Sequence, residues 1–259
     1  MTLGGTLIVR DAIKYDYCVL EAVRSLAPIC SQFVILDCGS TDGTLDQLQT
    51  LSGEFPQVEI HQGGDWECLP DYYRLSELTN RASALLKTKW HFNIQADEVL
   101  HESCWPSVLE AIKGPPKPLF VRRLNLFGDV DRMLRQTHEV EQPCGTVICR
   151  LAPARNRSMG DAENLYAPPG ADMSFCNRCT LFHYSFVRRD KEHIRKIIDV
   201  QSWFWGAKSV PDQRAVKMEP EGKFHWDQFK PAEWLSPLPM PHPQAAMTWV
   251  NRRRLEQAS

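Results

Sequence analysis

The chain has 259 residues, 43% of them hydrophobic and 24% charged, with a formal net charge of -2. That length suits one sizeable α/β domain with a small additional lobe, and the composition argues against disordered and fibrous classes. The charge balance argues against a chain whose main task is to neutralise a nucleic-acid backbone, because such proteins concentrate Lys and Arg.

Strand and helix signals alternate through the first hundred residues, the pattern of βαβ units and a mostly parallel sheet. Thr6 to Arg10 reads as a first strand, and Tyr15 to Leu26 carries Val19, Ala22, Val23 and Leu26 at helical spacing up to Pro28. Phe33 to Asp37 is a continuous apolar run suited to a strand buried on both faces. The polar turn Cys38 to Thr44 then supplies helix caps ahead of Leu45, Leu48 and Leu51. Val58 to Ile60 is a short third strand, Leu75 to Leu86 an amphipathic helix, and Trp90 to Gln95 a fourth strand running into Ala96-Asp97-Glu98.

Beyond a helix around Val108 to Ile112, Leu119 to Phe127 and Thr146 to Leu151 read as strands of an antiparallel extension. A polar loop over Arg155 to Pro169 precedes a strand at Thr180 to Tyr184 and a helix at Lys191 to Trp203. Prolines at 211, 220, 231, 237, 239, 241 and 243 exclude long regular elements there, so residues 206–259 are expected to wrap, as a Trp/Pro-rich extension, the domain formed by residues 1–205.

No apolar run reaches the roughly 18 residues of a membrane span, and Leu3 to Val9 is too short and too Gly-interrupted for a signal-peptide core. The expected address is the cytoplasm. Arg252 to Arg254 reads as a solvated basic face that also allows peripheral contact with a membrane. The nine cysteines read as buried thiols of a reducing compartment. A zinc site from Cys144, Cys149, Cys176 and Cys179 is the rarer alternative, the spacing being uncommon for ligands.

In an open α/β sheet, ligands bind outside the carboxyl ends of the strands. Arg10-Asp11, Asp37 and Asp97-Glu98 all fall at such ends, so one crevice is expected to collect them. Taken alone, Gly39 to Thr44 is a turn and a helix cap; the second motif downstream gives it more meaning.

The segment Phe33 to Thr44, FVILDCGSTDGT, followed by Asn80-Arg81-Ala82 and WHFNIQADEVL, resembles the family 2 glycosyltransferases. There a hydrophobic strand ends in Asp, and a later strand leads into an Asp-x-Asp metal motif. The resemblance is specific over residues 6–100, loose over 119–200 and absent after that. It implies an inverting enzyme of the GT-A type, a Rossmann-like mixed sheet flanked by helices, that moves a sugar from a nucleotide-diphosphate donor, with UDP the favoured carrier. It implies that Asp37 accepts a hydrogen bond from the base, that Arg81 approaches base, ribose or phosphate, and that Arg10 and Ser40 contribute to the same donor site.

By the same resemblance Asp97 binds a divalent cation, Mn²⁺ or Mg²⁺, which offsets charge on the diphosphate leaving group. Gln95 stands where the family carries the first Asp and retains the capacity to hydrogen-bond a ribose hydroxyl. Leu181-Phe182-His183-Tyr184 is similar to a late segment of some members, which makes His183 a second metal ligand and favours Mn²⁺; Arg188, Arg189 and Lys191 follow as cations for the diphosphate. Position in the chain makes Asp161, ahead of Glu163, the expected general base for the acceptor hydroxyl; the acceptor, whether glycan, lipid-linked or protein, is not specified. Two alternatives stay open: a relative that binds nucleotide or glycan without turnover, which Gln95 allows, and a sugar nucleotidyltransferase, although Arg10 to Lys14 lacks the glycines of its phosphate loop.

Overall fold

A computed structural model of the chain describes residues 2–63, 73–115, 117–135, 146–154, 156–165, 174–204, 213–228, 230 and 232–258. Strand β1 (Leu3–Val9) lies between two parallel neighbours, β2 (Gln32–Asp37) and β4 (Trp90–Asn93), with Thr6 in register with both Val34 and Asn93. Such a strand has no solvated face, which is why β1 and β2 read as continuous apolar runs. Gly5 is required by this packing: a Cβ there would stand 2.4 Å from the Phe33 ring. Strand β3 (Val58–Gln62) forms one edge of the sheet, parallel to β2.

Helices cover both faces. Helix α1 (Val19–Leu26) buries Val19, Ala22, Val23 and Leu26 in the larger core, with Leu3, Leu7 and Phe33, and α2 (Thr44–Glu54) adds Leu48 and Leu51. Helix α3 (Arg74–Ala84) packs Leu78 and Ala82 on the opposite face against Val34 and Leu36. Burial of such a side chain stabilises the fold by about 1.5–3 kcal/mol, so the apolar stripes fix which way each helix lies.

After β5 (Glu98–Leu100) and α4 (Trp105–Ala111) the sheet becomes mixed. Strands β6 (Leu119–Phe127), β7 (Asp129–Leu134) and β8 (Thr146–Pro153) follow, and β8 inserts antiparallel between β4 and β6. A hairpin of β9 (Ser158–Met159) and β10 (Asn164–Leu165) falls inside the stretch expected to be loop. Strand β11 (Ser174–Phe186) runs parallel to β6 and antiparallel to β5. Helices α5 (Asp190–Phe204) and α6 (Gln213–Met218) follow, then β12 (Leu235–Pro237) and α7 (Met247–Ala258). The strand order is β12-β7-β6-β8-β4-β1-β2-β3: a mixed α/β sheet of the expected kind.

The proline-rich tail holds more regular structure than its composition suggests. Its prolines stop at Pro243, and α7 begins four residues later, with Trp249 and Val250 closing a second core over Tyr184, Val187, Leu124 and Leu126. The Trp226 ring meets Phe127 edge-on at 5.3 Å between centroids. The boundary expected at 205/206, and Cys144 of the alternative zinc set, lie outside the described residues. Among the described residues seven cysteines are free thiols, and no helix is long and apolar enough to cross a membrane.

One core polar group makes stability depend on pH. His91, fully buried on β4, places Nε2 2.5 Å from Thr6 Oγ1, and burial pushes its pKa down to about 3. The imidazole is neutral in the fold and protonates in the unfolded chain below pH 6.5. Its contribution to stability is therefore full above that pH and declines toward pH 3, by up to ~1.4 kcal/mol per pH unit. Thermal midpoints measured from pH 7 to pH 4 should fall, and His91→Gln should flatten the decline. The same slope in the variant would remove His91 from this role and leave buried His183 and His193, whose pKa values are also lowered.

Candidate active site

A cavity of about 520 Å³ opens at the carboxyl ends of β1 and β4. Strand β1 is flanked there by β2 on one side and β4 on the other, the switch point at which open α/β sheets bind ligands. Arg10 and Asp11 line it from the end of β1, Gln95 and Asp97 from beyond β4, Arg74 and Thr79 from α3, Asp161 from the turn after β9, and Lys196 and Asp199 from α5.

The wall formed by residues 10–17 is held in an unusual backbone shape. Asp11 and Asp16 both lie in the left-handed region, with φ of 52° and 51°, a conformation that costs a non-glycine residue free energy and persists only where neighbours enforce it. The turn after β2 supplies such neighbours for Asp11, and Arg189 and Arg253 supply them for Asp16. Ser40 Oγ accepts from the Asp11 amide at 2.9 Å and donates to Asp37 Oδ1 at 2.5 Å. The Thr41 amide donates to Asp11 Oδ1 at 2.8 Å, and the Lys14 amide donates to Asp42 Oδ2 at 2.6 Å. The Gly-Ser-Thr-Asp turn is thus a clasp on the β1–α1 connection.

Asp37, expected to share one crevice with Asp97, takes part in this clasp. Asp37 is 2% exposed, its carboxylate is spent on the Ser40 hydroxyl and amide, and it is not among the residues lining the cavity. Ser40 is likewise committed to the clasp. Arg81 lies on the exposed side of α3, 3.8 Å from Glu77, and is also absent from the lining.

Asp97 is buried at the cavity and its two oxygens are treated differently. Oδ2 accepts from Arg188 Nη2 at 2.5 Å, with Lys196 Nζ 3.6 Å away. Burial would raise its pKa, yet the cations Lys196 and Arg188 hold the carboxyl well below the usual range. Arg188 is a support and not part of the lining: Nε donates to the Ser185 carbonyl, Nη1 to the Tyr15 carbonyl, and its guanidinium lies 4.2 Å from the Tyr17 ring centroid. Burial and Arg188 push Lys196 down to about 7, against the pull of Asp97.

Oδ1 of Asp97 faces His183 Nε2 at 3.7 Å. The other ring nitrogen of His183 is 2.8 Å from Asn125 Oδ1, a contact that suits the tautomer with the proton on Nδ1 and a lone pair on Nε2. Burial pushes this imidazole down to about 3 despite the nearby carboxylate, so it stays neutral near pH 7. A carboxylate oxygen and an imidazole lone pair face each other, a donor set that fits a divalent cation completing its shell with ligand oxygens. Among the described residues there is no group of three His, Cys, Asp or Glu side chains able to hold a metal.

Glu98, adjacent to Asp97, turns into the core. It is fully buried, 2.6 Å from the equally buried Arg150 and 3.6 Å from Arg123, and accepts from the Gln95 amide at 3.0 Å. Those arginines carry the next part of the wall: Arg150 Nη1 donates to the Ala162 carbonyl at 2.9 Å, and Arg123 Nη2 to Glu163 Oε1 at 2.8 Å. Between Gly160 at φ 59° and Ala162 at φ 62°, this anchored turn presents Asp161 to the cavity, while Glu163 is committed to Arg123.

Arg10, Gln95, Asp97 and Asp161 thus meet on one cavity with His183 behind Asp97, whereas Asp37, Ser40, Arg81 and Glu163 are outside its lining. The sequence reading missed Arg74, Lys196 and Asp199. Arg74 had a local signal, since a cation in the first turn opposes the helix macrodipole unless an anion lies nearby. Asp199, which pairs with Lys14 at 2.8 Å and accepts from the Tyr15 hydroxyl, had none.

The mixed α/β sheet, its order around β1 and the cavity at that switch point are the features to compare with known proteins. No family model and no curated protein matches the sequence. Among solved structures the chain is similar to Staphylococcus aureus TarS, with a TM-score of 0.50 and 11% identity over 86% of this chain and 43% of that one. For S. aureus TarS 1–349 in complex with UDP-GlcNAc the values are 0.48 and 12%, over 86% and 71%. Glucosyl-3-phosphoglycerate synthase from Mycobacterium tuberculosis, in complex with Mn²⁺, UDP and phosphoglyceric acid, gives 0.36 and 18% over 48% and 43%. At these identities the likeness concerns the fold.

Proposed function

We propose that the chain transfers a sugar from a nucleotide-diphosphate donor, UDP-linked, to an acceptor hydroxyl with inversion. The observation that carries this reading is the facing pair of Asp97 Oδ1 and His183 Nε2, 3.7 Å apart, with Asp97 lining the switch-point cavity and His183 behind it. These two would hold the divalent cation, and the imidazole favours Mn²⁺ over Mg²⁺. Bound there, the ion would supply positive charge to the diphosphate as it leaves. Arg188 fixes the orientation of Asp97, and Gln95 is available to a ribose hydroxyl. Asp161 takes the proton from the acceptor hydroxyl as it attacks the anomeric carbon.

Seven free thiols among the described residues support a reducing compartment, and the contacts of Trp249 and Trp226 support reading residues 206–259 as an extension of the same domain. Gln95, a neutral residue on the donor wall, favours a second reading in which the donor binds without turnover. A panel of nucleotide-sugars, assayed with and without Mn²⁺ for thermal shift and nucleotide release, separates the two. Release supports transfer, stabilisation without release under any acceptor supports the second reading, and a panel with neither rejects both.

Asp161→Asn keeps an oxygen for the Glu163 amide and removes the base. Turnover should fall by roughly 10²–10⁴ while nucleotide-sugar affinity, followed by titration calorimetry, stays nearly constant. Undiminished turnover would move the base role to another group.

A further inference from the structure

We infer that Lys196 is a second cation of the donor site, one that holds a nucleotide diphosphate when divalent metal is withheld. The inference deepens the proposed function and rests on it.

The charges immediately around Asp97 do not cancel. Asp97 is the carboxylate at the inner end of β4, and two cations face it: Arg188 at 2.5 Å and Lys196 at 3.6 Å. On the neighbouring walls Lys14 is matched by Asp199 at 2.8 Å and Arg10 by Asp11 at 3.7 Å, and the lining adds one further cation, Arg74, and one further carboxylate, Asp161. The excess positive charge around Asp97 therefore rests on the Arg188–Lys196 pair. Arg188 has a side chain with no solvent exposure, and its donors go to two carbonyls and Asp97.

Lys196 differs because it lies on the cavity, 19% exposed. Its ammonium donates to Ser185 Oγ at 2.7 Å and lies 5.5 Å from the Tyr17 ring centroid. An ammonium carries three donors. One is on Ser185 and one is turned over to Asp97, so, among the described residues, a third remains for a ligand. Uncompensated charge on a low-dielectric wall is costly unless an anion of matching chemistry enters. The cavity that receives Lys196 also receives Gln95 and Arg10, which suits a diphosphate attached to a polar nucleoside.

Titration of UDP and UMP into the full chain, with Mn²⁺ and in EDTA, tests this. In EDTA the wild-type chain should still bind UDP roughly tenfold more tightly than UMP, the worth of one charge-assisted hydrogen bond. Lys196→Met should erase that ratio with UMP affinity unchanged, and Lys196→Arg should restore part of it. The inference is overturned if UDP binding by the wild type depends strictly on Mn²⁺, or if folded Lys196→Met keeps the UDP/UMP ratio; either result leaves the donor site intact. Failure of both nucleotides to bind with or without Mn²⁺ rejects the proposed function itself.

Discussion

Asp97→Asn should lower Mn²⁺-dependent sugar transfer by about 10³, because the several kcal/mol of charge stabilisation that a bound cation lends a leaving diphosphate depends on the carboxylate that holds it. Asparagine leaves an oxygen for the Arg188 guanidinium, so the geometry in which Oδ2 accepts at 2.5 Å is conserved while the charge is lost. The variant should melt at a lower temperature, since a fully buried arginine then faces no anion; activity is to be measured well below that midpoint. Asp97→Ala is the weaker test, as it confounds lost metal with lost structure. Nucleotide release that responds to Mn²⁺ as in the wild type, in a folded Asp97→Asn chain, would remove Asp97 from the metal site.

The largest effect on stability is expected one residue later. Glu98→Ala should destabilise the chain by about 3–5 kcal/mol, the cost of leaving a buried charge uncompensated. Arg150, with no solvent exposure, would lose its partner at 2.6 Å, and the Gln95 amide its acceptor. For a protein of this size that is a fall in midpoint of roughly 10 °C or more. Glu98→Gln, which keeps one acceptor oxygen and turns an amide NH2 toward the other donor, should fall between. A midpoint within ~2 °C of the wild type in differential scanning calorimetry would mean that the Glu98–Arg150 pair contributes no net stability.

Asp97 and Glu98 also show what the sequence could and could not reveal. Their placement after β4 was legible from the apolar run Trp90 to Ile94, and so was the strand ending at Asp37, because continuous burial leaves a one-dimensional signal. The division of labour, with one acid at the cavity and the other in the core, followed from β5, three residues too short to register as a pattern. Asp37 was legible as a strand end but not as a clasp, since that role depends on Ser40 meeting the Asp11 amide, 29 positions away. Lys196 and Asp199 could not be found: the periodicity of α5 records that a helix packs, not which sheet end it packs against. Helix α7 was hidden by the prolines before it.

Asp16 carries the last consequence. Its carboxylate accepts from Arg253 Nη1 of α7 at 2.8 Å, while the carbonyl of the preceding Tyr15 accepts from the same Arg188 that orients Asp97. The final helix is thereby tethered to the donor wall through two intermediaries. A lesion near the end of the chain would be transmitted as slack in a carboxylate that it never touches, so mutational sensitivity should follow this relay and not simple distance from the sugar.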